Sequence, residues 1–283
     1  MIKSPPPSSY LRTGSSLDSV LIHLNNPQKL VSAYFLLSHG SRDPRPQLEL
    51  EKLAQILCCQ LKNLTIMSRD EQRIIDIGTL ELGPISLHEQ LYRFGKKARS
   101  LNISQIQVVP LFLLPGVHVK EDIPAEIAIA CQQLAAETEM NQMKIHLCPH
   151  IGSHPKVINL LATKINPLIA HTWILLSHGS RRPGANEPVE KIAYLLQQYC
   201  QVSVHTAYWS VSPDIKSTIE RLVRQGHQEI GILPYFLFSG GIIDAIAQTV
   251  NQLTPKYPSV KFHLSQPLGT TAELAQLIVD LIQ

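Results

Sequence analysis

The sequence predicts an α/β protein made of two tandem domains with parallel sheets. Three observations carry that reading. The string Leu36-Leu37-Ser38-His39-Gly40-Ser41-Arg42 returns 139 positions later as Leu175-Leu176-Ser177-His178-Gly179-Ser180-Arg181. Other pieces recur in the same order. Pro110-Leu111-Phe112-Leu113-Leu114-Pro115-Gly116 is echoed by Pro234-Tyr235-Phe236-Leu237-Phe238-Ser239-Gly240, and Ile145-His146-Leu147 by Phe262-His263-Leu264. Finally, short apolar runs of strand character alternate with helical patterns throughout, which is the signature of parallel sheets covered on both faces. Two copies of more than a hundred residues each are a duplication and not a solenoid.

The elements follow from local pattern. Residues 1 to 28, with Pro5-Pro6-Pro7-Ser8-Ser9 and no long apolar stretch, read as a flexible tail. The first domain is expected over 29–168. Val31 to Leu37 is an apolar run ending in Ser-His-Gly, hence a buried strand. Leu48 to Leu61 carries apolar residues at helical spacing, and residues 63–73 form a polar connection. Ile74 to Leu80 is the second strand. Ser86 with Glu89 three positions on suggests a capping box opening a helix to Leu101. Ile106 to Val109 is the third strand, followed by an apolar loop, a helix from Ile123 to Glu139, a strand from Lys144 to Leu147 and a helix from Pro155 to Leu168. The second domain, 169–283, repeats the order with strands at 172–176, 202–209, 229–233 and 260–264 and helices at 188–199, 213–225, 242–253 and 272–283.

Bulk composition excludes several classes. The net charge is only +3 and Lys and Arg form no block, so no nucleic-acid partner is expected. No run of 18 apolar residues exists, so no membrane span is expected. Five cysteines without a C-x-x-C pair suit reduced thiols and a cytoplasmic location. A monomer is expected.

Right-handed crossovers bring every strand's C-terminal end to one edge, where open α/β sheets bind ligands. His39 follows the first strand, Glu81 the second and His118 the third. Two imidazoles and a carboxylate can hold a borderline transition metal such as Co²⁺, Fe²⁺, Ni²⁺ or Zn²⁺. An imidazole with an ordinary pKa of about 6.5 can also accept a proton. Arg42 and Arg45 lie beside His39, and Lys120 beside His118, so an acidic ligand would be attracted to the same rim. No glycine-rich phosphate loop and no G-x-S-x-G elbow is present. Glu121 and Asp122 read as helix-opening carboxylates, and His88 as a surface residue. His150 and His154 flank Gly152 as a weak metal pair, whereas His146 and His263 read as structural.

Leu36-Leu37-Ser38-His39-Gly40-Ser41-Arg42-Asp43-Pro44, Leu80-Glu81-Leu82-Gly83-Pro84 and Pro110-Leu111-Phe112-Leu113-Leu114-Pro115-Gly116-Val117-His118-Val119-Lys120-Glu121-Asp122-Ile123-Pro124 together resemble the motifs of the class II chelatases, in particular the long, two-domain CbiX-type sirohydrochlorin cobaltochelatases and ferrochelatases. The resemblance covers about residues 31–283. It implies two flavodoxin-like domains facing each other across a cleft, and insertion of a divalent metal, Co²⁺ or Fe²⁺, into sirohydrochlorin for siroheme or cobalamin synthesis. It implies His39 and His118 as the catalytic pair, with Glu81 on the same rim and no organic cofactor. The carboxylates of sirohydrochlorin would suit Arg42, Arg45 and Lys120. A metal or tetrapyrrole carrier without turnover, or a chelatase for nickel or protoporphyrin, would share these residues.

The second copy should differ. Aligned by sequence, Ile242 stands where His118 does and Trp209 stands opposite Glu81, leaving His178 without partners. One site, in the first copy, is therefore expected.

Overall fold

The computed structural model describes residues 32–63, 73–137 and 143–283. The expected N-terminal tail and the polar connection at 64–72 lie outside the described residues, as does the end of the helix expected to reach Glu139. The first half is β1 (Ser32–Ser38), α1 (Arg45–Asn63), β2 (Arg73–Thr79), α2 (Leu87–Ser100), β3 (Gln105–Pro110), a π-helical turn (His118–Asp122) running into α3 (Ile123–Ala136), β4 (Lys144–Leu147) and α4 (Val157–Ala162). The second half is β5 (Thr172–Ser177), α5 (Glu187–Cys200), β6 (Ser203–Tyr208), α6 (Ile215–Arg224), β7 (Glu229–Pro234), α7 (Gly241–Leu253), β8 (Lys261–Leu264) and α8 (Ala272–Ile282). Each half is a four-stranded sheet, ordered β2-β1-β3-β4 and β6-β5-β7-β8, with every pairing parallel. That is the flavodoxin-like order.

Two local expectations fail. The helix after β4 ends at Ala162, six residues before Leu168. The capping box does not form: Ser86 makes no cap bond, because its Oγ lies 2.9 Å from His88 Nε2, and Glu89 accepts from Arg93 instead.

Strand alternation explains the layers. In β1, Ala33, Phe35 and Leu37 enter a core with α2 and α3, while Tyr34 and Leu36 face the other way. In β5, Ile174 and Leu176 meet α6 and α7, while Trp173 and Leu175 face inward. The two inward faces share one continuous core, filled by Leu50, Leu53 and Leu57 of α1, Leu160 and Leu161 of α4, Val189 and Leu196 of α5 and Leu274 and Ile278 of α8. α1 packs on α8 and α4 on α5, so helices of each half contact helices of the other. On either side of 168/169 each sheet thus has a core of its own on one face and shares the central core on the other. Burying these side chains contributes about 1.5–3 kcal/mol each, which fixes the halves against one another.

Polar contacts complete the junction. Lys156 Nζ donates to Asp280 Oδ2 at 2.6 Å, Tyr235 Oη to the Leu113 carbonyl at 3.1 Å, and Ser239 N to Glu49 Oε1 at 3.1 Å. His154 faces Asp280 at 3.6 Å, and His150 Nδ1 lies 2.9 Å from the Phe112 carbonyl. These two histidines brace loops and do not form the metal pair their spacing suggested.

Candidate metal centre

The site grows from the rim of the first sheet. β1 ends at Ser38 because Gly40 must turn with φ +99, a left-handed conformation suited to glycine. A Cβ on Gly40 would stand 1.9 Å from the Glu81 carbonyl oxygen, so the two loops can meet only at a glycine. The backbone ladder continues past the strands. Leu80 N donates to Ser38 O and Glu81 N to His39 O, both at 2.9 Å. His39 and Glu81 are thereby held side by side. β3 supplies the third member. Gly152 N donates to Phe112 O at 3.0 Å, pinning the loop that leads to the π-helical turn and His118.

The three ligand-type side chains converge. One donor atom from each of His39, Glu81 and His118 lies within 4.8 Å of the other two. His39 Nε2 is 3.8 Å from Glu81 Oε2, and His118 Nδ1 is 4.0 Å from Glu81 Oε1. The imidazoles meet edge to face, centroids 4.9 Å apart at 76°, and the Phe112 ring stands 6.3 Å from each. His39 Nδ1 lies 3.3 Å from the Gly40 carbonyl. A carbonyl only accepts, so with the proton on Nδ1 that contact is a hydrogen bond and the Nε2 lone pair is available to a metal beside Glu81. His118 Nδ1 is bonded to Asp122 Oδ2 at 2.7 Å. The cluster is half exposed, with side-chain exposures of 48%, 50% and 34% for His39, Glu81 and His118. It borders a hollow of about 310 Å³ lined by Glu81, Ser86, Asp122 and Glu126 among others. Three carboxylates there favour a cation. Neutral nitrogens with a carboxylate suit first-row divalent metals, and an open face leaves positions for an incoming ligand.

The rim cations divide. Arg42 and Lys120 are exposed, and their side chains bond to none of the described residues. Arg45 differs from the sequence expectation. Its guanidinium donates to both oxygens of Asp43 and both of Asp244, with Nη1–Oδ1 at 3.0 Å and Nη2–Oδ2 at 2.5 Å to the latter. The Arg45 guanidinium holds the Asp43 carboxyl down at about 2 and lowers that of Asp244. Two carboxylates already engage all three of its nitrogens, so Arg45 clamps the halves together and is not a free anion site. Sequence could not reveal this, because Asp244 is 199 positions away.

His88 is a correction too. Its Nδ1 lies 2.9 Å from Glu126 Oε2 and its backbone N–H donates to the same oxygen, so it ties α2 to α3. Phe112 and Asp122 were missed as site neighbours. The signal available for Asp122 was its spacing of four from His118.

The second rim corrects the alignment. Trp209 N donates to Ser177 O and Ser210 N to His178 O, matching Leu80 and Glu81 in the first rim. Ser210, not Trp209, is the counterpart of Glu81. Its Oγ donates to the His178 carbonyl at 2.9 Å, and His178 Nδ1 lies 3.1 Å from Gly179 O. Ile242, 124 positions after His118 as Pro234 is after Pro110, lies in the first turn of α7. Among the described residues the first rim alone gathers three ligand-type groups.

Duplicated flavodoxin-like sheets with a His–Glu–His cluster on one rim define a two-lobed α/β protein with a candidate metal site. The chain belongs to the CbiX family, whose model matches residues 33–168 and 172–283. Among curated relatives, it is 28% identical over 185 residues to a sirohydrochlorin cobaltochelatase of Priestia megaterium, covering 62% of this chain and 58% of that one. It is 26% identical over 182 residues to a sirohydrochlorin ferrochelatase of the same organism, covering 62% and 65%. The alignments thus span under two thirds of these relatives' lengths. Among solved structures, SirB from Bacillus subtilis with Fe³⁺ matches with a TM-score of 0.70 at 23% identity, covering 89% of this chain and 94% of that one. The sirohydrochlorin chelatase SirB from Bacillus subtilis subspecies spizizenii in complex with cobalt matches at 0.65 and 22%, with the same coverage. Both share the fold.

Proposed function

We propose that this protein is a sirohydrochlorin metal chelatase, inserting Co²⁺ or Fe²⁺ into the macrocycle during siroheme or cobalamin synthesis. The observation that carries the reading is the His39–Glu81–His118 cluster on one sheet rim, within 4.8 Å. Its relatives named as sirohydrochlorin cobaltochelatase and ferrochelatase support the substrate. The metal is substrate here, and no organic cofactor is required.

The chemistry has two demands. The metal must shed water without being trapped, and two pyrrole N–H protons must leave. Three protein ligands on an exposed rim take the place of some waters and leave the remaining positions to the macrocycle. As the pyrrole nitrogens bind, a released imidazole or the Glu81 carboxylate accepts a proton, since each is then a free base beside the macrocycle. Arg42 and Lys120 receive the substrate's carboxylates. In this reading the first half (29–168) carries the site and the second half (169–283) closes it. The protein works as a cytoplasmic monomer, with neither nucleic acid nor membrane as partner.

Purified protein mixed with sirohydrochlorin and each divalent metal in turn tests this by absorbance. Metal-dependent spectral change at a rate above the protein-free control is expected with Co²⁺ or Fe²⁺. Stoichiometric binding of metal or macrocycle without turnover would replace the chelatase with a carrier.

A further inference from the structure

We infer that Asp122 is a positioning residue for His118: its carboxylate holds the imidazole with the proton on Nδ1, so that Nε2 carries the lone pair offered to the metal. The inference rests on the chelatase reading for its function but not for its geometry.

Four observations lead there. The His118 Nδ1–Asp122 Oδ2 distance is 2.7 Å, at the short end of charge-assisted hydrogen bonds. A carboxylate can only accept, so the nitrogen it touches bears the hydrogen. Second, Asp122 stands at the start of α3, as the sequence suggested, but makes no side-chain cap bond there, so its carboxylate is not taken up by the helix backbone. Third, the pair is rigidly mounted. The turn closes with Ile123 N–H donating to the His118 carbonyl, and Ile123 is fully buried in the core beneath. Fourth, the second copy lost both members together. The counterparts of His118 and Asp122 are Ile242 and Ile246, the latter fully buried.

The neighbouring carboxylates do not compete. Glu126 is held by His88, and Glu81 Oε1 at 4.0 Å is beyond hydrogen-bond reach of Nδ1. Glu81 therefore remains free for the metal. An acceptor on one ring nitrogen fixes the tautomer and orientation of a ligating imidazole, and losing such a partner commonly weakens metal binding about 10–100-fold.

The test uses the full chain labelled with ¹⁵N-histidine at about pH 8, where an ordinary histidine is neutral. Long-range ¹H–¹⁵N spectra report the tautomer, and H118Q identifies the His118 signals. The wild type should show the proton on Nδ1. Asp122→Leu should move it toward Nε2, and Asp122→Asn, which keeps an acceptor oxygen, should restore it. Co²⁺ affinity, followed by its visible absorption without macrocycle, should fall about 10–100-fold in Asp122→Leu and less in Asp122→Asn. In the chelation assay the metal KM should rise while the rate at saturating metal changes far less. A wild-type proton on Nε2, or Asp122→Leu matching wild type in tautomer and Co²⁺ affinity, overturns the inference. Loss of chelation in the wild type with the Asp122-dependent Nδ1 proton intact would remove the chelatase reading and leave the positioning role standing.

Discussion

Replacing Gly40 by alanine should break the site and weaken the fold at one stroke. At φ +99 an L side chain is strained by roughly 1–2 kcal/mol. The added Cβ would lie 1.9 Å from the Glu81 carbonyl oxygen, which is backbone and cannot rotate away. One loop must retreat, and the Glu81 N–His39 O bond at 2.9 Å goes with it, removing about 0.5–1.5 kcal/mol more. The total is about 1.5–3.5 kcal/mol. His39 and Glu81 would separate, so Co²⁺ affinity should fall even in the folded protein. Gly179→Ala is the control. It is also left-handed, at φ +82, and its Cβ would meet the Tyr208 and Val211 side chains at 2.6 and 2.7 Å. It should lower thermal stability comparably while leaving Co²⁺ binding by folded protein intact. Thermal melts by circular dichroism and Co²⁺ titration at a temperature where both variants are folded make the comparison. Wild-type Co²⁺ affinity in Gly40→Ala, or equal loss in both variants, would refute the claim that the glycine turn sets the ligand geometry.

Three further outcomes are expected. His39→Ala should lose most chelation activity and His178→Ala keep most of it, since His178 has Ser210 and Ile242 where His39 has Glu81 and His118; equal losses in the absorbance assay would mean a shared site. Leu57→Ala, fully buried in the core common to both halves, should cost about 2–5 kcal/mol and lower a single melting transition, whereas two separate transitions would show that the halves unfold independently. Acid should act in two windows. Arg45 holds Asp43 at about 2 and depresses Asp244, so their contribution is complete above the ordinary carboxylate pKa of about 3.9 and is lost as pH falls toward 2; Arg45→Met should flatten that limb of a pH–melting curve. Burial likewise lowers His150 and His205, so the unfolded chain takes up their protons first and stability declines as pH drops below about 6.5, less so in His205→Gln.

Much of this was legible in the chain itself. The duplicated Ser-His-Gly-Ser-Arg string and the alternation of apolar runs with helical patterns dictate two parallel sheets, because strand and helix periods are local properties. Crossover handedness then assigns His39, Glu81 and His118 to one rim without any coordinates. Tertiary structure decided what depends on distant partners. Arg45 reads as a free cation until Asp244 is folded against it. Trp209 aligns with Glu81 until the backbone ladder puts Ser210 there, since a one-residue shift in loop register is invisible in a string of letters. Asp122 reads as a helix-opening acid, which it is, but only the π-helical turn shows that it is aimed at His118. That the two halves share a core stays hidden until α1 meets α8, because an amphipathic helix shows that it has an apolar face but not which sheet or helix will cover it.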